Sequence, residues 1–287
     1  MDSFMFLKDF FTTELSMNKI APPTVVCILL LCFFSAGAAP RIVSLSPAID
    51  NYISALNAEH MLVGTTSYSR FASHNDITVV GDVLTINVES ILSLNPTQVV
   101  TTPITPERKI QTLRSIGVEV LVFEKPQSFD HLCEQFIRLA GTIGKDEPAE
   151  KTVREARSRA EELHAQNAGK EPLPVFFQIG MDPLFTVTSH SFIHDYMHFT
   201  GCINIAADAQ SGNYSKEEVV SRNPFAILST DMGQEKETIH AYWERFPHMD
   251  AVAENRIFIL PADSIASPNP AMFIAMLERI NTLLRSN

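Results

Sequence analysis

From residue 41 onward the apolar positions fall into short continuous runs separated by stretches with helical spacing. Runs rich in β-branched residues at 41–45, 61–65, 78–80, 98–101 and 118–123 read as strands, and the stretches 48–56, 88–94, 110–116 and 129–143 read as helices. Ser46-Pro47 stops the first run and supplies a helix cap followed by a favourable first helical residue. The rhythm resumes after residue 172, with strands expected at 175–179, 203–205, 226–229 and 257–260. Helices are expected there at 192–199, 217–221, 239–244 and 270–284. Strands that alternate with helices predict a mainly parallel sheet with helices on both faces.

Between the two series lies a different pattern. Residues 145–171 are polar, and Val153, Ala156, Ala160 and Leu163 recur at three- and four-residue steps, so only one thin stripe is apolar. Asp146 is placed to cap the start, Glu147 and Glu150 suit the positive end of the helix dipole, and Asn167-Ala168-Gly169 ahead of Pro172 ends the pattern. A helix over 147–167 has a length of roughly 30 Å. It reads either as an ordinary surface helix or as a strut between two lobes.

An internal echo favours the strut. Residues 89–102 (ESILSLNPTQVVTT) align with residues 217–230 (EEVVSRNPFAILST), sharing the leading Glu, a Ser, Asn-Pro and the closing Thr. The expected fold is therefore α/β: two αβ lobes with mainly parallel sheets, joined by one long interdomain helix, with a ligand cleft between the lobes. The lobes are expected at 39–144 and 172–287, with the linking helix at 145–171.

The start of the chain has another character. A basic residue, an apolar run at 25–34 and the small residues Ser35-Ala36-Gly37-Ala38 describe a secretory signal peptide over 1–38, with 1–16 an upstream extension before Met17. The formal net charge of −11 argues against nucleic acid as a partner. Only Cys133 and Cys202 follow residue 38, one in each half, which supports no disulfide framework.

No nucleophile elbow, phosphate loop, dinucleotide fingerprint or metalloprotease helix occurs, and no catalytic residue or cofactor is expected. His190, His194 and His198, four apart, are a weak metal-ligand pattern if they share a helix face, and a solvated polar face otherwise. Ligands of open α/β sheets sit beyond the carboxyl ends of the strands. That rule nominates Tyr68, Arg70 and Asp82 in the first half, and Phe185, Asp231, Asp263 and a nearby Tyr214 in the second. The aromatic residues are suited to stacking on a bulky guest and Arg70 to meeting an acidic group, though Tyr68 and Phe185 read equally well as core residues.

The stretches 40–47 (PRIVSLSP), 63–69 (VGTTSYS), 87–96 (NVESILSLNP), 116–120, 177–186 (FQIGMDPLFT), 215–219 and 266–268 resemble the ABC-importer substrate-binding proteins of the ferric-siderophore and cobalamin class, most of all periplasmic cobalamin-binding members. The resemblance spans nearly all of the chain after residue 38. It implies a periplasmic, monomeric protein that captures a metal chelate and delivers it to the permease dimer of an ABC importer in the inner membrane. A corrinoid is favoured, with a ferric siderophore or haem next. It also implies that Glu89 and Glu217 dock onto the permease and that Tyr68, Phe185 and Asp263 fall at cleft positions. Val83 stands where cobalamin-binding members carry a Trp, with Ser211 near another such place. A secreted enzyme and a free-metal receptor using the same cleft are the alternatives.

Overall fold

A computed structural model describes residues 39–82, 84–231 and 235–285. The proposed signal segment 1–38 lies outside the described residues. The first lobe is built on a five-stranded, wholly parallel sheet in the order β3-β2-β1-β4-β5. Its strands are β1 (Ile42–Ser44), β2 (Leu62–Thr65), β3 (Thr78–Val79), β4 (Gln98–Thr101) and β5 (Val120–Val122). Central β1 and β4 are buried throughout, as apolar runs without polar alternation require. The helices α1 (Pro47–Ala55), α2 (Val88–Ser93), α3 (Glu107–Ser115) and α4 (Phe129–Thr142) occupy the connections.

The second lobe orders its sheet β10-β9-β6-β7, with β8 also paired to β6. The long strand β6 (Leu173–Met181) organises it: β9 (Ala226–Thr230) runs parallel along one edge. The other edge takes β8 (Cys202–Asn204) in parallel at its start and β7 (Leu184–Thr186) in antiparallel at its end. Strand β10 (Ile257–Leu260) closes the row. Around them lie α6 (His194–Phe199), α7 (Lys216–Arg222), α8 (Lys236–Trp243), α9 (Asp250–Ala253), α10 (Ala262–Ala266) and α11 (Pro270–Arg285). Three of these pieces, β7, α9 and α10, have no counterpart in the sequence pattern. Each is three to five residues long, too short to show a period.

The linking helix α5 runs unbroken from Asp146 to Asn167. Asp146 is not its cap, as the sequence suggested. It is the first helical residue, and Lys145 ahead of it makes no side-chain cap. The buried stripe Ala149, Val153, Ala156, Ala160 and Leu163 meets α4 of the first lobe and α6 and α11 of the second. Small alanines let these helices approach closely, and one continuous apolar cluster runs from Ile42 and Phe136 through the strut to Phe177 and Leu228. Within it Phe273 stacks between Phe129 at 4.3 Å and Tyr196 at 4.2 Å, so an aromatic pile crosses the junction. Asn51 and Asn269 exchange further bonds there, Asn51 Nδ2 donating to Ser267 O and Asn269 Nδ2 to Asn51 O. Residues Pro40–Asn287 form one compact unit in consequence.

The sequence echo is a structural repeat. In both lobes a short helix carries a cap residue whose side chain accepts from the N–H three residues on: Asn87 from Ser90, and Ser215 from Glu218. Both helices lead into an Asn at positive φ, 46° at Asn95 and 40° at Asn223, then Pro, then the strand beside the first strand of its sheet. Asn tolerates that left-handed step better than most residues, and Pro keeps the helix from resuming.

Candidate interlobe binding cleft

The carboxyl ends of all five strands of the first sheet converge on one cleft of about 800 Å³. After β1 come Ser46 and Pro47, after β2 Tyr68, after β3 Asp82, after β4 Thr102 and after β5 Phe123. The second lobe closes the other side with Phe192, Asp263, Ala266 and Ser267. A parallel sheet places every loop of this kind at one edge, so residues far apart in sequence share a wall without any local motif.

The wall is unusual in what it leaves uncovered. Tyr68 is 69% exposed, Leu84 61% and Ile104 62%, and all three line the cleft. Large apolar side chains grouped on a concave surface are a mark of a ligand site. Beneath them Ile49, Tyr52 and Phe123 are buried and give the floor rigid packing, with the Tyr52 and Phe136 rings edge to face at 5.5 Å.

Polar groups are held by their own loops. Asp82 Oδ1 accepts from the N–H groups of Leu84 (2.7 Å) and Thr85 (2.6 Å), tying a tight turn at the cleft wall. Gly81 makes that turn possible. Its φ is +134°, and a side chain there would run into the backbone oxygen of Thr85. Under the wall Asp50 is fully buried and accepts from Thr65 Oγ1 at 3.1 Å, while its other oxygen has no partner. Burial pushes its carboxyl up, opposed by the nearby hydroxyls of Ser44, Ser69 and Thr65 and by the charge of Arg70.

Three of the sequence-nominated residues meet here: Tyr68, Asp82 and Asp263. The others lie elsewhere. Arg70 is not among the lining residues; its guanidinium lies 5.3 Å from the Phe71 ring. Phe185, read as a loop residue, sits in edge strand β7 with its ring packed over Gly212. Tyr214 packs on Phe176 at 5.7 Å and borders a second, shallower depression of about 530 Å³ beside Glu217. Asp231 Oδ1 accepts from the N–H of Ala262 at 2.9 Å, so it anchors the helix that presents Asp263 and does not itself line the cleft. Val83 is outside the described residues.

The three histidines do not share one helix face. Helix α6 begins at His194, which leaves His190 in the turn before it. His194 Nδ1 lies 3.3 Å from Asn204 Nδ2, and His198 stacks on His164 of the strut at 4.8 Å. Among the described residues no group of three or more His, Cys, Asp or Glu side chains could hold a metal ion. Glu89 and Glu217 are both exposed, each the second residue of its helix.

Sequence reasoning missed Leu84, Ile104, Glu124, Lys125 and Gln135. The first four follow strands that were placed correctly, so a fuller use of the strand-end rule finds them. Gln135 lies mid-helix in α4 and carries no local signal.

The periplasmic binding protein family model matches residues 42–264. The vitamin B12-binding protein of Salmonella choleraesuis is 28% identical over 267 residues, covering 92% of this chain and 97% of the relative. That of Yersinia pseudotuberculosis is 27% identical over 233 residues, covering 80% and 83%. Among solved structures, the periplasmic vitamin B12-binding protein of Vibrio cholerae superposes with a TM-score of 0.72 at 24% identity, covering 86% of this chain and 97% of its own. The periplasmic haem-binding protein of the same organism reaches 0.78 at 21%, covering 86% and 100%. With two αβ lobes, a linking helix and a family match that spans both sheets, the chain belongs to the periplasmic binding protein family.

Proposed function

We propose that this chain is the substrate-binding protein of an ABC importer, and that it captures a metal chelate in the interlobe cleft and hands it to a membrane permease. The observation that carries the reading is the cleft of about 800 Å³ with Tyr68, Leu84 and Ile104 projecting uncovered from one wall. A guest with a broad apolar face removes that area from water, at roughly 25 cal/mol per Å². The relatives named for vitamin B12 favour a corrinoid, with haem and ferric siderophores next.

In this reading residues 145–171 link a first lobe at 39–144 to a second at 172–287, and 1–38 direct export to the periplasm. Glu89 and Glu217 occupy equivalent helix starts and would present the loaded protein to the two halves of a permease dimer. Charges so placed orient an encounter more than they tighten it. The protein acts as a monomer, without a catalytic role.

The test is calorimetric titration of the purified mature chain with cyanocobalamin, cobinamide, haem and a ferric hydroxamate. Calorimetry suits this protein because Trp243 is buried in the second lobe, bonded to Gln178 Oε1 at 2.7 Å, and reports poorly on the cleft. Saturable 1:1 binding of a chelate supports the reading, and no binding by any of the four refutes it.

A further inference from the structure

Helix α1 reaches both walls of the cleft through two neighbouring residues that are not part of either wall. Pro47, Ala48, Ile49 and Tyr52 line the cleft from this helix, whereas Asp50 and Asn51 between them are not among the lining residues. With roughly 3.6 residues per turn, side chains adjacent on a helix leave it in different directions.

Asp50 serves the first lobe. It is fully buried, and its Oδ2 accepts from Thr65 Oγ1 at 3.1 Å. Thr65 ends β2, three residues before Tyr68. On the far side of Tyr68, the Ser69 hydroxyl and the Arg70 charge both favour the ionised form of Asp50. The stretch between is a tight turn: Ser69 N–H donates to Thr66 O at 3.0 Å, and Phe71 N–H to Ser69 Oγ at 3.1 Å. Thr65, Thr66, Ser69 and Phe71 are buried, so the turn is anchored on both sides of an exposed Tyr68.

Asn51 serves the second lobe. Its Nδ2 donates to Ser267 O at 2.8 Å, and its backbone O accepts from Asn269 Nδ2 at 3.1 Å. Ser267 lines the cleft beside Ala266, and Asn269 Oδ1 accepts from Met272 N–H at 3.0 Å at the start of α11. The segment that joins the second wall to α11 is therefore pinned to the residue next to Asp50.

We infer that Asp50 and Asn51 are positioning residues for guest capture: Asp50 holds the turn that presents Tyr68, Asn51 holds the Ser267 segment opposite, and the helix between them keeps the two walls in register. Neither adds contact area to the guest. A gap of about 0.5–1 Å forfeits a quarter to a half of a van der Waals contact, so an apolar wall grips only where its supports fix it. This rests on the chelate-binding reading above and adds to it the residues behind the walls that set affinity.

The experiment is a double-mutant cycle read by calorimetry with cyanocobalamin, or with haem where haem is the chelate that the parent binds. Its members are the parent, Thr65→Val, Tyr68→Ala and the two combined. Thr65→Val keeps the shape of the side chain and removes the hydroxyl that Asp50 accepts. It is expected to weaken binding about fivefold in the parent and less than about twofold in the Tyr68→Ala background, where the turn has no ring to place. A role in folding alone would lower stability and change affinity by the same factor in both backgrounds. Thr65→Ser, which keeps the hydroxyl, should recover most of the loss. Asn51→Ala, at a half-buried position, should weaken binding about threefold in either Tyr68 background, because it places the opposite wall. Should Thr65→Val fail to fold, the Asn51→Ala arm decides alone. Equal losses from Thr65→Val in both backgrounds, or parent-like affinity in Thr65→Val or Asn51→Ala, overturns this inference and leaves the transport reading standing. A parent that binds none of the four chelates overturns both.

Discussion

Asp195 of the second lobe accepts a 2.6 Å hydrogen bond from the backbone N–H of Phe129, the first residue of a helix in the first lobe. Ser128 caps the same helix by accepting from His131 N–H. One lobe thus completes a helix end of the other, beside the Phe129–Phe273–Tyr196 pile. Such a junction holds the lobes at a set separation and suits small movements about the strut rather than wide opening.

Asp195→Ala is expected to lower stability by about 0.5–2 kcal/mol, the usual cost of a lost helix cap. Asp195→Asn keeps an acceptor and should lose less. Urea denaturation checks both, and an Ala variant as stable as the parent would remove the capping role.

Asp50→Asn should flatten the acid side of the stability profile. Burial raises the folded pKa of Asp50 above its ordinary 3.8, so the folded state holds this proton more tightly than the unfolded chain does. The contribution favouring the fold is therefore complete below the unfolded value and is lost as pH rises through the raised one. Relative to Asp50→Asn, the parent should lose stability over that climb. Denaturation midpoints at several pH values read the difference, and parallel profiles would contradict it.

Tyr68→Ala should weaken chelate binding by about 1–2 kcal/mol, a five- to thirtyfold loss in affinity, with little change in folding stability. The side chain is 69% exposed, so removing it costs the fold almost nothing. Calorimetry and thermal melting on the same samples separate the two effects.

Gly81→Ala should act in the opposite proportion. Its positive φ and the closeness of the Thr85 carbonyl make any side chain strain the turn that presents Asp82 and Leu84. A loss of about 1–3 kcal/mol in stability is expected, with weakened binding as the turn shifts. A variant that melts with the parent would show that the turn relaxes freely.

Glu89→Ala/Glu217→Ala should leave chelate affinity within about twofold and reduce uptake in reconstituted vesicles by tenfold or more. Loss of chelate affinity in the double variant would place these residues in binding rather than docking.

The strand rhythm, the repeat and the strut were legible because each depends on neighbours in sequence. Apolar period, cap residues and the Asn-Pro step between α7 and β9 act within about ten residues of one another. The rule that ligands gather at strand ends found Tyr68, Asp82 and Asp263 for the same reason: each follows a recognisable strand. It misplaced Phe185, because the three residues of β7 gain strand character only by pairing with the end of β6. It misplaced Asp231 too, because Ala262 supplies its N–H across the strand ends. The three histidines do not act together, because His190 precedes the helix and His194 and His198 meet different partners, Asn204 and His164.

What the sequence determined by itself was therefore the kind of elements, their order and the duplicated plan. Only the tertiary structure decided which loops share the cleft, that Gln135 borders it from the middle of α4, and that Asp195 joins the lobes. Those relations lie between residues 66 positions apart or on different strands, where no local pattern constrains them. Packing of the two sheets against the common strut sets them instead.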